Sequence, residues 1–248
     1  MARYSPVGPV EVLLQMKERG FLDGYLLLLA HDVVDKPHQY EKLLNGFEGT
    51  IILDNSLIEL GVPVDANTMV LGAAIVKPDF VVLPDKLNDA KATVEMSREA
   101  VGTWVTKLPS RTGCMVAAQG KDPEEAVACA KACIGTSPKL NYIVGVPRAV
   151  TMEQGSRVPL VQLLTRQDYK VHLLGMSGNL RDDIMCTRMY GVIGIDSASP
   201  LRAGWENMRF DGRTEHLRAR EEFFTSCKGF TIDMAYNIGH VRGLMENR

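Results

Sequence analysis

Short apolar runs, separated by stretches of mixed polar and apolar residues, recur along the whole of this 248-residue chain. Seven runs have the length and the Val, Ile and Leu content of β-strands, and a weaker run precedes them near residue 3. The runs are residues 3–7 (the weaker one), 25–32, 50–55, 80–85, 114–120, 142–148, 171–177 and 192–196. Most are continuously apolar, which is typical of parallel strands that are covered on both faces.

The segments between these runs carry apolar residues at helical spacing. Helices are predicted at residues 10–19, 88–101, 122–134, 179–190 and, with a break near Gly229, at 221–248. The helix at 122–134 has a clear beginning, because Asp122 can act as its N-cap and Pro123 fits its first position. With the opening run counted as a strand, strand and helix alternate eight times, which predicts a single-domain (β/α)8 TIM barrel over residues 1–248. Without that run, an open parallel sheet is the alternative.

The composition, 46% hydrophobic and 23% charged, is ordinary for a folded soluble protein. The apolar run at residues 25–30 is too short to span a membrane, and residues 1–8 lack the apolar segment of a secretory signal, so a cytoplasmic location is expected. The five cysteines have no CxxC spacing, which argues against disulfides and a zinc site. Cys129 and Cys133 share a helix face with small residues, and we expect them to be buried.

Charge is unevenly distributed between the two halves of the chain. Residues 1–124 contain 12 Lys and Arg against 17 Asp and Glu, and residues 125–248 contain 16 against 13, so the net charges are −5 and +3. Part of the basic excess follows the last predicted strand, at Arg202, Arg209, Arg213, Arg218 and Arg220. Guanidinium groups suit phosphate, so this bias fits a nucleic-acid contact on one rim. The alternative is a solvated surface in which these arginines pair with Glu206, Asp211 and Glu215.

Polar residues and glycines are frequent where the predicted strands end. The residues at these ends are Asp54, Asn55, Asp85, Gln119, Gly120, Gly145, Val146, Gly175 and Asp196. In a barrel the carboxyl ends of all strands face one mouth, where active sites are found. A single aspartate there is commonly a helix cap or turn residue. Asp54, Asp85 and Asp196 follow three different strands, however, and together they predict a site with carboxylate chemistry.

Six segments at these strand ends occur in the order found in a known family. They are LDNSLIELG (53–61), VVLPD (81–85), AAQG (117–120), VGVPR (144–148), HLLGMSG (172–178) and IDSASPLRAG (195–204). The set resembles the tRNA-guanine transglycosylase superfamily, TIM-barrel enzymes that exchange guanine in a polynucleotide for a 7-deazaguanine. The resemblance covers about residues 50–205. Each motif is weak by itself, and their joint order is the specific signal.

The resemblance implies a role for each of these ends. Asp196 is expected to attack the sugar C1′ and form a covalent ester, and Asp54 to act as general acid and base. Asp85 is expected to accept hydrogen bonds from the guanine N1–H and exocyclic amine, a pair of donors that adenine lacks. Gln119 and the backbone N–H after Gly145, which is that of Val146, are expected to contact O6 of the base. Leu174 is expected to pack on one face of the base, and Asn55 to lie within the base pocket. Arg202 is expected to contact a phosphate.

The sequence also departs from the family. Residues 55–57 replace a Ser-Gly-Gly step and Ile58 replaces an aromatic residue. The tRNA enzymes carry a zinc subdomain after the nucleophile segment, and beyond Trp205 the candidate ligands are His216, Cys227 and His240. The shorter pattern resembles the DNA-modifying branch of bacteriophages and bacterial islands, which implies DNA as the polymer, with tRNA as the alternative, and the host cytoplasm if the chain is viral.

The same resemblance implies the remaining partners. The incoming base is expected to be a 7-deazaguanine such as 7-cyano-7-deazaguanine, and neither a cofactor nor a metal nor a membrane partner is expected. The oligomeric state is left open by the sequence.

Two other classes of function fit a barrel with these features. A catalytically idle barrel that binds a base or nucleic acid occurs as a partner subunit in this superfamily, although Asp54 and Asp196 argue for chemistry. A phosphate-sugar isomerase or aldolase would favour a glycine-rich phosphate site and often a catalytic lysine, and Lys86 is the one lysine at a predicted strand end.

Overall fold

Parallel strands joined in one sheet form the centre of the computed structural model, which describes residues 1–148, 155–213, 217 and 220–246. The strands are β1 (Arg3–Pro6), β2 (Tyr25–Leu29), β3 (Thr50–Asp54), β4 (Phe80–Val82), β5 (Gly113–Ala117), β6 (Tyr142–Pro147), β7 (Val171–Leu174) and β8 (Val192–Ser197). From β2 to β8 each strand pairs in parallel with the next, and β8 pairs with β1. Between β1 and β2 the Leu27 N–H donates to Ser5 Oγ at 2.7 Å, so the barrel is nearly closed.

Helices alternate with the strands along the described part of the chain. They are α1 (Val10–Glu18), α2 (Ala30–Asp35), α3 (Pro37–Leu44), α4 (Leu57–Leu60), α5 (Ala66–Val76), α6 (Ala90–Thr103), α7 (Pro123–Gly135), α8 (Val158–Thr165), α9 (Leu180–Thr187), α10 (Ser199–Trp205), α11 (Arg220–Ser226) and α12 (Ile232–Glu246). The predicted single-domain (β/α)8 barrel is confirmed. The weak opening run is a strand, so the open-sheet alternative is wrong.

The helix α7 begins where the sequence predicts, and the predicted residue Asp122 caps it. Asp122 Oδ1 accepts from the Glu125 N–H at 2.7 Å, and Glu125 Oε2 accepts from the Lys121 N–H at 2.7 Å. These reciprocal bonds satisfy two backbone donors at the beginning of α7. The tail is helical on both sides of Gly229, as predicted, in α11 and α12.

Most predicted strands are shorter in the structure than in the sequence pattern. The run at 25–32 ends as a strand at Leu29, because the chain turns directly into α2, which buries Ala30 and Val33. The run at 80–85 ends at Val82, and the run at 171–177 ends at Leu174. The polar residues that follow Val82 and Leu174 therefore lie on loops above the barrel, where they can reach a ligand.

Several helices give little amphipathic signal. In α5 the residues between Asn67 and Val76 are nearly all apolar or small, so helical periodicity is weak although Asp65 caps the helix, accepting from the Thr68 N–H at 2.8 Å. Burial on one face of α5 and contact with β3 and α2 decide its conformation. Tertiary packing, not local periodicity, sets this helix.

The barrel interior is packed across its full width. Gly194 in β8 lets the Tyr25 ring approach, since a Cβ at that position would overlap the ring. A Cβ at Gly145 would lie 2.7 Å from Leu174 Cδ1, which is too close for real carbon contacts. All five cysteines are free and buried, including Cys129 and Cys133, as predicted for that pair. Across the described residues, no helix has both the length and the apolar character needed to cross a membrane.

Candidate active site

A cavity of about 410 Å³ opens at the carboxyl ends of the strands. Its volume lies in the range of small-molecule sites. Seven of the nine residues assigned from the sequence line it, namely Asp54, Asn55, Asp85, Gln119, Leu174, Asp196 and Arg202. The structure therefore brings together side chains from the ends of five different strands.

Gly145 and Val146 are the remaining two of the nine assigned residues, and their positions differ from the expected contact with the base. Neither is among the described residues that line the cavity. The Val144 N–H donates to Lys170 O, just before β7, at 2.9 Å, and the Arg148 N–H donates to Leu174 O, the last residue of β7, at 3.1 Å. Because Val146 lies between them in the same register, its N–H faces β7 and not the cavity. The backbone contact implied for O6 is therefore not formed by this N–H, and Gly145 instead makes room for the Leu174 side chain.

Asp196 is buried at the end of β8, with 6% of its surface exposed. Its Oδ1 accepts from His172 Nε2 and from the Gly175 N–H, both at 3.0 Å. Within the described residues Oδ2 has no hydrogen-bond partner. One oxygen is thus held in place and the other is available at the cavity.

His172 and Tyr25 extend this arrangement into the barrel. His172 is fully buried, and its Nδ1 lies 2.7 Å from the Tyr25 hydroxyl oxygen. Burial raises the pKa of Tyr25 far above its usual range, the Asp196 charge raises it further, and Arg3 opposes the shift. The sequence analysis assigned neither residue. The available signal was a histidine in an otherwise apolar strand, on the same face as Leu174.

Asp85 is joined to the two strand ends on either side of it. Asn55 Nδ2 donates to Asp85 Oδ1 at 2.8 Å, and Gln119 Nε2 donates to Asp85 Oδ2 at 2.7 Å. Burial raises the pKa of Asp85, while these two bonds act in the opposite direction. The cluster is a planar carboxylate with each oxygen already oriented by one amide.

The two amides are fixed in turn by the backbone. Asn55 also donates to Leu83 O at 2.9 Å and accepts from the Leu57 N–H at 3.0 Å. Gln119 Oε1 accepts from the Asn88 N–H at 3.0 Å. The Gln119 side-chain oxygen is thereby occupied as an acceptor, and in the described part of the chain Nε2 donates one of its two hydrogens, to Asp85.

Asp54 lies at the end of β3 with a partly exposed side chain. Burial raises the pKa of this carboxyl well above its usual range, and the nearby Glu59 charge raises it further, with smaller contributions from Asp196 and Asp85. The Ser56 N–H, which donates to Asp54 Oδ2 at 2.8 Å, opposes the shift. Asp54 can therefore hold a proton at a pH where an ordinary aspartate has lost it.

Three arginines line the cavity near these carboxylates, namely Arg148, Arg202 and Arg220. Burial lowers the pKa of Arg148 and of Arg202, and the positive charge of Arg220 lowers both further. Arg220 forms an ion pair with Glu59, from α4. The mouth thus combines a carboxylate floor with a guanidinium rim, which suits a ligand that carries phosphate.

The other arginines of the predicted phosphate track have surface partners. Arg209 lies over the Tyr236 ring, 3.6 Å from its centroid, and Arg213 lies 3.8 Å from Asp211. Neither is among the described residues of the cavity wall. The solvated-surface alternative therefore describes Arg213, which has the expected partner Asp211, while Arg209 is also on the surface but pairs with Asp233. Arg218, Glu215 and His216 lie outside the described residues.

A further buried aspartate, Asp183 in α9, lies outside this cavity. Arg157 Nη2 contacts its Oδ1 at 2.5 Å, and Ser177 donates to it through both Oγ and N–H, at 2.8 and 2.9 Å. Within the described ranges, no three His, Cys, Asp or Glu side chains are grouped so as to hold a metal ion.

Comparison with known proteins supports the fold. No family model and no curated protein matches the sequence. The crystal structure of AP endonuclease, family 2 from Brucella melitensis is similar, with a TM-score of 0.53 and 14% identity over 79% of this chain and 92% of that one. The chain is a (β/α)8 barrel. N-acetylneuraminate lyase from Mycoplasma synoviae is also similar, with a TM-score of 0.46 and 10% identity over 83% of this chain and 74% of that one.

Proposed function

We propose that this chain is a base-exchange transglycosylase that replaces guanine in DNA with a 7-deazaguanine derivative, through a covalent aspartyl-glycosyl intermediate. The observation that carries the proposal is Asp196, a buried carboxylate with both bonds on Oδ1 and with Oδ2 at a cavity. A second carboxyl of raised pKa, that of Asp54, lines the same cavity. Two carboxyl groups with different environments are the equipment of retaining glycosyl transfer.

In the first step Asp196 Oδ2 attacks the sugar C1′, and the bond from C1′ to guanine N9 breaks. The bonding pair passes to the leaving guanine, which takes a proton from Asp54. In the second step the Asp54 carboxylate removes a proton from the incoming base, whose nitrogen attacks C1′ and displaces Asp196. Two inversions at C1′ give net retention, and the enzyme returns to its starting state.

Asp85 supports selection of guanine-like bases. Each of its oxygens accepts one amide hydrogen bond and retains a lone pair for the ligand. Guanine and 7-deazaguanines present N1–H and an exocyclic amine on one edge, which fits this acceptor pair. Adenine presents no such pair, and a buried carboxylate left without its donors costs about 1–3 kcal/mol for each lost bond.

The arginine rim supports a polynucleotide substrate. Arg148, Arg202 and Arg220 bring positive charge to the mouth where a strand would have to pass. A guanine in a duplex must leave the stack to reach Asp196, at an unstacking cost of a few kcal/mol, and phosphate contacts can offset that cost. We infer DNA as the polymer from the resemblance of the strand-end segments to the DNA-modifying branch of the transglycosylase superfamily.

The barrel alternatives receive less support. Lys86, the lysine at a predicted strand end, lies 3.2 Å from Asp89 and is not among the described residues of the cavity wall. An aldolase of the lysine type would need an amine inside the cavity. A binding protein without catalysis would not need an acid of raised pKa beside a second carboxylate.

The test is exchange of labelled guanine into polynucleotides, followed by mass analysis of the nucleosides. Purified protein is incubated with single-stranded DNA, duplex DNA or tRNA, and with labelled guanine or 7-cyano-7-deazaguanine. We expect incorporation into DNA above that into tRNA. Preferential incorporation into tRNA would overturn the choice of polymer, and no incorporation into any of them would overturn base exchange.

A further inference from the structure

We propose that Tyr25 and His172 are positioning residues that select Oδ2 of Asp196 as the attacking oxygen. Tyr25 fixes the tautomer of His172, and His172 together with the Gly175 N–H occupies Oδ1. This inference rests on the proposed function, because it concerns how Asp196 reacts. We call the three side chains the Tyr25–His172–Asp196 relay.

The relay depends on a packing feature of the barrel interior. Tyr25 begins β2, yet its hydroxyl reaches His172 in β7, on the far side of β8. Gly194 of β8 is paired with His172 and is the residue over which the Tyr25 ring lies. Any side chain at position 194 would displace the ring, so the glycine permits this contact.

The buried hydroxyl determines which nitrogen of His172 carries the proton. Tyr25 retains its proton, because burial and the charge of Asp196 both disfavour the phenolate. In the described part of the chain, His172 Nδ1 is the acceptor within reach of that hydroxyl. With Nδ1 accepting, a neutral His172 has its hydrogen on Nε2, which then donates to Asp196 Oδ1.

This arrangement suits both states of the nucleophile. In the free enzyme the two N–H groups stabilise the carboxylate and fix its plane, so that Oδ2 lies toward the cavity. After attack the ester is formed through Oδ2, and Oδ1 becomes a carbonyl oxygen that still accepts both bonds. When the incoming base displaces Asp196, negative charge returns to a carboxylate whose donors are already in place.

Variants at two positions separate positioning from packing. His172→Leu removes the donor at similar volume, His172→Gln can return a donor near the Nε2 position, and Tyr25→Phe removes the hydroxyl. Tyr4→Phe is the matched control, because the Tyr4 hydroxyl is equally buried and donates to the Ser197 carbonyl at 2.8 Å, outside the relay.

The readouts are the single-turnover rate of adduct formation with a guanine-containing oligonucleotide and the Kd for free guanine. Loss of a hydrogen-bonding partner that orients a metal-bound side chain costs about 10- to 100-fold, and we take the same range for the orientation of Asp196. We expect adduct formation to slow about 100-fold in His172→Leu and about 10-fold in Tyr25→Phe, with partial recovery in His172→Gln and wild-type rates in Tyr4→Phe. The Kd for guanine should stay unchanged. A wild-type rate in His172→Leu, or an equal loss of rate and base affinity, would overturn the proposal.

A spectroscopic measurement tests the relay without reference to activity. In protein labelled with ¹⁵N-histidine, we expect the neutral Nε2–H tautomer for His172, and a changed Nδ1 signal in Tyr25→Phe but not in Tyr4→Phe. The opposite tautomer, or an imidazolium at neutral pH, would overturn the relay. Absence of base exchange in a protein that shows the expected tautomer would instead overturn the proposed function.

Discussion

Two buried aspartates of this barrel, Asp183 and Asp196, have opposite hydrogen-bond arrangements. Both oxygens of Asp183 accept bonds, and one of them contacts the buried guanidinium of Arg157. Asp196 accepts two bonds on Oδ1, from the His172 ring and the Gly175 backbone, and within the described residues Oδ2 has none. Both carboxylates are held in place by hydrogen bonds, but Asp183 uses both oxygens and is paired with a cation, while Asp196 keeps one oxygen without a partner among the described residues.

The comparison shows how one fold gives the same residue two uses. Asp183 connects Arg157, the residue just before α8, with Ser177 on the loop after β7. It therefore joins the chain before α8 to the loop after β7. Asp196 contacts the loop after β7 through Gly175 but also lines the cavity. Contact with the cavity and an unused oxygen, more than burial, distinguish the carboxylate that we propose as the nucleophile from the structural one.

The largest effect is expected at Asp196. In Asp196→Asn the amide is a far poorer nucleophile of nearly the same shape, so base exchange should fall by at least about 10³-fold. The unfolding midpoint in urea should stay close to that of the wild type. A denaturant-stable adduct between the Asn variant and an oligonucleotide would contradict the assignment.

Asp183→Asn should have the opposite outcome to Asp196→Asn, with a lower free energy of unfolding and with the chemistry of the folded protein intact. The substitution leaves the Arg157 guanidinium buried without its counter-ion, and breaking such a pair costs about 3–5 kcal/mol. Urea unfolding followed by circular dichroism measures the loss. The folded fraction should retain adduct formation. Unchanged stability, or a loss of activity beyond the loss of folded protein, would contradict the structural role of Asp183.

Asp85→Ala should affect base recognition. Loss of the acceptor pair removes two ligand bonds and leaves the amides of Asn55 and Gln119 without their shared acceptor. We expect the KM for free base to rise about 10- to 100-fold, from about 1–3 kcal/mol of lost bonding, and the KM for polynucleotide to rise less. Equal increases for both substrates would refute a base-reading role.

Glu59→Gln should shift the pH dependence of adduct formation. The Glu59 charge helps to hold the pKa of Asp54 above its usual range, and removal of that charge lowers the pKa. Because the first step needs protonated Asp54, the alkaline limb of the rate should move to lower pH. Glu95→Gln, an exposed acid in α6, is the control. If the alkaline limb of the pH–rate profile does not move in Glu59→Gln, Asp54 is not the acid of the first step.

The raised pKa of Asp54 also has a consequence for stability. The folded state binds this proton more tightly than the unfolded state, so its contribution to stability is lost as pH rises from the ordinary carboxyl range through the raised pKa. Asp54→Asn should therefore stabilise the protein above that range and have no such advantage below it. Unfolding at several pH values measures the difference, and an Asn variant that is less stable at neutral pH would contradict it.

The smallest effect is expected at the arginine rim. Arg202→Ala should weaken polynucleotide binding and reduce the slope of log K against log salt by about one phosphate contact, with binding of free base unchanged. Arg213→Ala is the control, because Arg213 pairs with Asp211 away from the cavity wall. An unchanged slope in the Arg202 variant would place the nucleic-acid track elsewhere.

The barrel and much of its mouth could be predicted from the sequence, because buried parallel strands leave continuous apolar runs and their polar ends stand out. The helices α2 and α5 could not, since α2 has only six residues and the exposed side of α5 also carries an apolar residue, Leu71. The contact of the Val146 N–H with O6 could not be judged from the sequence either. It depends on the pairing register with β7, which directs this N–H into the sheet.

The relay was also missed, for a reason of distance. Tyr25 and His172 are 147 residues apart, and each resembles an ordinary core residue in its own strand. Their contact requires the missing side chain at Gly194. No local pattern encodes a contact that depends on three strands at once.

The most direct test of the account is to identify the residue that carries the sugar. Protein is incubated with a guanine-containing DNA oligonucleotide in the absence of free base, denatured, digested with nuclease and protease, and analysed by mass spectrometry. The expected result is a deoxyribosyl-phosphate adduct on Asp196 with release of one free guanine for each adduct. An adduct on another residue, or guanine release without any covalent intermediate, would contradict the central claim.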